Sequence, residues 1–469
     1  MIVADAFRGQ TVAVFGLART GLAAIRALGA GGARVLAWDD SPETRALAEA
    51  EGVLLHDLAK ADWNRIAALI LSPGVPLYGP KQHWSVAAAE AAGVPVLGDV
   101  ELFARAIAAV PAASRPLVVG VTGTNGKSTT SALIHHILVA AGKQAVLGGN
   151  IGVGVLSLPA PKAGLIYVLE LSSYQLDLTT SLHCNVAVHL NLSPDHLERH
   201  GTMERYAQAK RRIFANQTAM DWAVIGVDDG WGRSLCTRLT AQGARCVAPI
   251  SAGMALSRGV YGIGGQVFDG LGARQGGVIR LSEAPALPGA HNAQNIAAAY
   301  AACRGLGLTA EQIAAGVRSF PGLAHRLERA GEVAGVRFIN DSKATNADAA
   351  AQALAAFPRV YWIAGGRAKS DGIDALAPLF GRVARAYLIG EAAARFSETL
   401  GDTPHVIAGD LAAAVAGAYR DARASGEADP IVLFSPACAS FDQFRDFEAR
   451  GDAFKAAVAA LSAEAEAHA

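Results

Sequence analysis

Residues Leu117 to Thr130 constrain this chain more than any other stretch. Leu117 to Val121 is a short apolar run of the kind that forms a buried strand. A glycine turn follows, then Lys127, Ser128 and Thr129, then a helical pattern from Thr130 to Ala141. Strand, glycine turn and helix are the setting a phosphate-binding loop requires. Glycines let successive N–H groups converge on an anion, and the helix N-terminus adds partial positive charge. In such a loop Lys127 supplies a full charge to the terminal phosphates, and Ser128 offers a hydroxyl to Mg²⁺. The spacing departs from the strict nucleotide-loop pattern, which wants glycine where the chain has Val121; Gly120 sits one residue early. The alternative is a plain glycine turn with an incidental lysine. It is disfavoured because Gly-Lys-Ser-Thr opens a helix directly after an apolar strand.

The 469 residues suggest about three domains. Lys plus Arg and Asp plus Glu are equal at 41 each, so no net field draws the chain to nucleic acid or an anionic membrane. The five cysteines form no C-x-x-C pair and read as small buried residues in a reducing compartment. No charged segment leads into an apolar core at the N-terminus, so no signal peptide is expected. No uninterrupted apolar run approaches the ~18 residues of a membrane span.

In chain order, Thr11–Phe15, the turn Gly16–Gly21, a helix from Leu22 to Leu28 and Arg34–Trp38 form a βαβ unit ending in Asp39-Asp40. A dinucleotide fingerprint would need glycine at position 18, which is Ala18, so a nucleotide-binding relative and an unliganded βαβ unit both remain open. Ala67–Leu71 runs into the stiff loop Ser72-Pro-Gly-Val-Pro76, and residues 110–116 read as a linker. Downstream of the phosphate loop, the apolar strand Leu165–Leu169 ends on Glu170, where a Mg²⁺ ligand belongs. Asn185–Leu190 leads to Asp195-His196, and Pro194 is expected to start a helix there. His196 reads either as a capping residue or as an active-site group, and Lys210 by default as a solvated helix residue. His291-Asn-Ala-Gln-Asn295 opens an Ala-rich helix and serves either capping or base contact. Beyond residue 321, four strands (337–341, 360–364, 386–389 and 430–434) each deliver small or polar residues past their C-terminal ends. That is the doubly wound α/β arrangement. Cys438 reads as a packed turn residue rather than a nucleophile.

Together, Thr122-Gly-Thr-Asn-Gly-Lys-Ser-Thr129, Glu170-Leu-Ser-Ser, Asp195-His196, Lys210, His291-Asn-x-x-Asn295, His325-Arg326 and Asn340-Asp-Ser-Lys-Ala-Thr-Asn346 resemble the Mur ligase family of peptidoglycan synthesis. The resemblance covers nearly the whole chain in order. Within the family the pattern is closest to members that add D-glutamate. Gly16-Leu-Ala-Arg-Thr-Gly21, Leu71-Ser-Pro-Gly-Val75, Gly148-Gly-Asn-Ile-Gly152 and Ser435-Pro-Ala-Cys-Ala-Ser-Phe-Asp-Gln-Phe444 carry that likeness. The Asp-Asn-Pro-Arg signature of the diaminopimelate- or lysine-adding members is absent.

The resemblance implies three α/β domains: a Rossmann-like UDP-sugar domain (residues 1–109), a central P-loop ATPase-like domain with a parallel sheet (110–321), and a Rossmann-like amino-acid domain (322–469). It implies a cytoplasmic, monomeric enzyme joining D-glutamate to UDP-N-acetylmuramoyl-L-alanine through an acyl phosphate, with ATP and two Mg²⁺ ions. Lys127, His196, Lys210 and Lys343 would be catalytic. Gly123, Thr124, Asn125, Gly126, Lys127, Ser128, Thr129, Thr130, Asn295, Arg326 and Asp341 would hold ATP. Ser128, Glu170, His196 and a carbamylated Lys210 would hold the metals. Asp39, Ser72, Gly74 and Asn150 would face the UDP-sugar, and Thr345, Lys369, Ser440 and Phe447 the D-glutamate. Closure of the third domain on ligand is expected. The rival readings are a ligase for another amino acid, folylpolyglutamate synthase, a nicotinamide-dependent oxidoreductase and a non-catalytic nucleotide-binding module.

Overall fold

The protein is described from a computed structural model covering residues 1–272, 276–368 and 372–467. Three sheets are each wrapped by helices. The first has four parallel strands, with Thr11–Phe15 between Arg34–Trp38 and Ala68–Leu71, and the short Val96–Leu97 at the edge. The second has nine strands. Leu117–Thr122 lies between Leu165–Glu170 and Val186–His189, all parallel, with Gln144–Gly149 at one edge. The other edge is an antiparallel meander, Gly259–Ile263, Gln266–Gly270 and Gly276–Arg280, as the Gly-rich hairpin-like sequence suggests. The third sheet has six strands, not four. The two extra strands, Glu328–Val333 and His405–Gly409, are only partly buried and carry polar residues, so no apolar run announces them.

The chain divides into two compact units, Met1–Arg280 with Ala293–Arg318, and Leu281–Asn292 with Ser319–Ala469. The first two sheets share the first unit. One continuous apolar core joins them: Val12, Val14 and Phe103 from the N-terminal part meet Leu156, Tyr167 and Leu171. Phe103 and Tyr167 pack edge to face at 5.1 Å between centroids.

Glu101 anchors this junction. It lies on the helix Asp99–Ala109 with a fully buried side chain. Its carboxylate accepts from the amides of Thr180 (2.8 Å) and Ser181 (2.9 Å), the Ser181 hydroxyl (2.9 Å) and Arg105 Nε (2.8 Å). Burial alone would raise its pKa. The donors from Ser181, Thr180 and Arg105 outweigh that and hold the carboxyl below its usual range. It therefore contributes stability above the ordinary glutamate pKa, and that stability is lost as pH falls through the depressed value. Glu101→Ala strips four donors of their acceptor and should cost about 3 kcal/mol, read as a lower urea midpoint. An unchanged midpoint would remove the anchor role.

Candidate active site

The phosphate loop emerges from the centre of the nine-stranded sheet. Gly123 and Gly126 have φ of +154° and +83°. A Cβ on Gly126 would fall 2.4 Å from Asn295 Oδ1, so both the backbone turn and the close approach require glycine here. The helix begins at Lys127, three residues before the apolar pattern shows it, because the left-handed Gly126 is its N-cap. Thr130 Oγ1 donates to Asn295 Oδ1 at 3.1 Å, tying the loop helix to the helix Asn292–Gly305. Lys127 Nζ donates to the loop carbonyls of Gly123 (3.0 Å) and Thr124 (2.7 Å). Ser128 is buried at the start of the same helix.

Asn191 fixes the loop from the neighbouring strand end. Its Oδ1 accepts from the Asn125 amide (2.9 Å), and its Nδ2 donates to Asn125 O (3.2 Å) and Gln294 Oε1 (2.9 Å). Gln294 in turn donates to Asp228 at 2.7 Å. None of these three residues was singled out in the sequence. The one available signal was a polar Asn191 immediately after an apolar strand.

Glu170 is 2% exposed at the end of its strand. Oε1 accepts from Asn150 Nδ2 at 2.7 Å, whereas Oε2 is buried without a hydrogen-bond partner. A buried, unsatisfied carboxylate oxygen beside a phosphate loop suits a hard cation. Among the described residues no three His, Cys, Asp or Glu side chains gather into a metal cluster. Mg²⁺ needs none, because it takes one or two carboxylates plus phosphate oxygens and water. The residues present therefore fit Mg²⁺.

Lys210 is the largest departure from its default reading. It sits on the helix Met203–Arg211 but is only 1% exposed, and Nζ donates to Gly123 O at 2.7 Å. Burial first, then nearby Lys127, push its amine well below the ordinary lysine pKa; Asp195 and Glu170 oppose the shift. His189, unmarked in the sequence, is buried near it and is pushed down to about 3 by burial and then by Lys210. Pro194 does not start the helix here. The helix is Leu197–His200, and His196 is its left-handed N-cap, φ 55°. Its side chain makes no cap bond; Nδ1 lies 3.2 Å from Tyr174 Oη and Nε2 lies 3.4 Å from Asp195.

In the N-terminal part, Asp39 accepts from the amides of Leu17 (2.8 Å) and Ser41 (2.9 Å), and Ser72 Oγ donates to Gly16 O (2.9 Å). Asp39 and Ser72 thus meet at the first glycine turn. Gly74 has open space where a Cβ would stand.

The second unit carries its own polar cluster. His325 and Leu327 hold φ of +62° and +45°, flanking Arg326 in a backbone region that non-glycine residues rarely adopt. Asp341 accepts from Ser435 Oγ (2.8 Å) and the Leu327 amide (3.2 Å). Burial pushes its carboxyl up to about 7, against the opposing pull of Ser435, Leu327 and Arg326. Below the ordinary aspartate pKa both folded and unfolded forms are neutral. As pH rises from about 4 to 7 the unfolded chain ionises first, so the folded state loses ground. Asp341→Asn should therefore gain stability on the parent across that window, seen as a widening gap in urea midpoints. A gap that stays constant would remove the assignment.

Lys343 Nζ stands 3.6 Å over the Phe447 ring, and Ser342 Oγ donates to Phe447 O at 2.8 Å. Ser440 is buried and Thr345 half-buried close by in sequence to these groups. Burial pushes the Cys438 thiol up to about 12, as befits a packed turn residue. Lys369 lies outside the described residues.

Two family profiles match this chain: "Mur ligase middle domain" over residues 121–303 and "Mur ligase, glutamate ligase domain" over residues 325–438. The UDP-N-acetylmuramoylalanine–D-glutamate ligase of Phenylobacterium zucineum is 58% identical over 98% of this chain and 98% of its own length. This chain belongs to the Mur ligase family. Among solved members, the UDP-N-acetylmuramate-alanine ligase of Thermotoga maritima superposes with a TM-score of 0.58 at 17% identity, covering 96% of this chain and 99% of its own. The MurF ligase of Thermotoga maritima in complex with ADP superposes at 0.55 and 19% identity, covering 86% and 96%. The family fold therefore extends over nearly all of this chain despite low identity to both structures.

Proposed function

We propose that this chain joins D-glutamate to UDP-N-acetylmuramoyl-L-alanine at the expense of ATP, releasing ADP and phosphate in peptidoglycan precursor synthesis. The near full-length identity to a ligase of that name carries the reading. The phosphate loop supports it.

A carboxylate is a poor acyl donor. It first attacks the γ-phosphorus of ATP; the P–O bond to ADP breaks and an acyl phosphate forms. The D-glutamate amine then attacks the acyl carbon, loses a proton, and phosphate leaves. Such chemistry depends on positioning and on neutralising charge. The loop amides from Gly123 to Thr130 cradle the phosphates, and Lys127 leaves the Gly123 and Thr124 carbonyls to meet them. Glu170 and Ser128 would hold one Mg²⁺, and His196 with a carbamylated Lys210 would hold a second. When bound, the ions neutralise phosphate charge and orient the transferring group. Asn295 braces the loop helix through Thr130. Asp341 and Arg326 are assigned to ATP, and Lys343 to the transferring phosphate. Thr345, Lys369, Ser440 and Phe447 grip D-glutamate; Asp39, Ser72, Gly74 and Asn150 receive the UDP-sugar. The enzyme acts as a cytoplasmic monomer. Among the described residues no helix is long and apolar enough to cross a membrane.

A phosphate-release assay with ATP, Mg²⁺ and UDP-N-acetylmuramoyl-L-alanine tests this. Release is expected with D-glutamate, and none with L-alanine, L-lysine or diaminopimelate. Release with one of those and not with D-glutamate would overturn the specificity.

A further inference from the structure

We propose that Asp228, exposed beyond the end of the strand Trp222–Gly226, fixes the orientation of the Asn191 side-chain amide through Gln294 and so holds the phosphate loop in the shape that receives ATP. The consequence for ATP rests on the function proposed above; the polarity of the relay stands on geometry. A carboxylate only accepts. Asp228 accepts from Ser251 Oγ (2.5 Å), the Ala252 amide (3.0 Å) and Gln294 Nε2 (2.7 Å). With its nitrogen turned to Asp228, the buried Gln294 presents Oε1 to its other neighbour. Asn191 therefore meets it with Nδ2, at 2.9 Å. That leaves the Asn191 oxygen facing the loop, where it accepts from the Asn125 amide at 2.9 Å. A side-chain amide has one donor end and one acceptor end, so the chain runs one way, from Asn125 to Asp228. A donor in place of Asp228 would reverse both amides and set Asn191 Nδ2 against the Asn125 N–H.

Asn191 grips the loop through its backbone as well. Its carbonyl accepts from the Thr124 amide at 3.0 Å, and Nδ2 also donates to Asn125 O at 3.2 Å. Thr124 and Asn125 are thus set just before the left-handed Gly126 turns the chain into the helix at Lys127. The next residue along from Gln294, Asn295, accepts from Thr130 Oγ1 at 3.1 Å. The start of the helix Asn292–Gly305 therefore holds the loop on both sides of that turn. A loop ordered beforehand spares the ligand the cost of ordering it. Asp228, Gln294 and Asn191 act as positioning residues, through the loop rather than on the nucleotide.

The test is a double-mutant cycle on the full-length protein at about pH 8, where a new carboxyl is ionised. Asn191→Asp keeps an oxygen for the Asn125 amide but has no proton for Gln294 Oε1. Calorimetric ATP affinity with Mg²⁺ should fall about tenfold, with a smaller change in kcat at saturating ATP. The ligand-free melting temperature should fall too. Adding Asp228→Asn supplies a donor at the far end, so Gln294 can turn its nitrogen to the new carboxylate. The double variant should bind ATP more tightly, and melt higher, than Asn191→Asp. Asp228→Asn alone should weaken ATP binding less than Asn191→Asp does, because its amide oxygen can still accept from Gln294. A double variant no better than Asn191→Asp in melting temperature overturns the relay. If Asn191→Asp alone does not fold, a folded double variant supports the relay and an unfolded one overturns it. ATP affinity unchanged in a folded Asn191→Asp overturns the consequence for the loop. A wild type that binds no ATP overturns the ATP reading itself, while the ligand-free melting temperatures still decide the relay.

Discussion

Lys210→Ala is expected to lower ligase turnover by on the order of 10²- to 10³-fold, and short carboxylic acids such as formate or acetate should restore part of it. A lysine 1% exposed beside Lys127 is driven towards the neutral amine. A neutral amine is a nucleophile: its nitrogen lone pair adds to the carbon of CO₂, a proton leaves to solvent, and a carbamate results. The product is a carboxylate-like oxygen ligand where an ammonium would repel a metal. Its nitrogen keeps one N–H, so the bond now made to Gly123 O at 2.7 Å can persist through the modification. Alanine leaves a cavity that a small carboxylate can enter. Full activity in the variant would remove any role for Lys210. Loss without rescue would leave it a structural donor to the loop and remove the carbamate.

Lys127→Ala should cost on the order of 10²- to 10³-fold in kcat/KM for ATP, with calorimetric binding of UDP-N-acetylmuramoyl-L-alanine retained. Lys127 lies folded over the Gly123 and Thr124 carbonyls, at 3.0 and 2.7 Å. Its charge is already at the mouth of the loop and needs only a rotamer change to reach a phosphate. The variant would also lift one of the two influences that push the Lys210 amine down, so part of the loss should trace to a Lys210 that holds its proton more tightly. Unaltered ATP kinetics would show that the loop amides alone bind the phosphates.

Much of this site was legible in the sequence for a physical reason. A phosphate cradle is local: strand, glycines with special φ and a helix start must be consecutive, so Thr122 to Thr130 announces itself. Glu170 was legible because a carboxylate ending a wholly apolar strand is costly to bury unless a donor or a cation meets it. The six-stranded sheet was undercounted because its partly buried edge strands satisfy no apolar pattern. Pro194 misplaced a helix because a proline marks a turn as readily as a first helical turn, and the left-handed His196 took the cap instead. Asn191, Gln294 and Asp228 carry no local pattern at all; the hydrogen bonds from Asn191 to Gln294 and from Gln294 to Asp228 join segments 103 and 66 residues apart.

By itself, the sequence determined the α/β class, the phosphate loop, the ordered motifs of the family and the carboxylate at the strand end, because each depends on neighbours within a few positions. Only the tertiary structure decided that the two N-terminal sheets share one apolar core with Glu101 bonded across the junction, that Tyr174 and Glu198 meet His196, and that Lys210 is buried rather than solvated. The last is the plainest case. Which face of a charged helix turns inward depends on what packs against it, and burial first, then Lys127, pushes the Lys210 amine well below the ordinary lysine range.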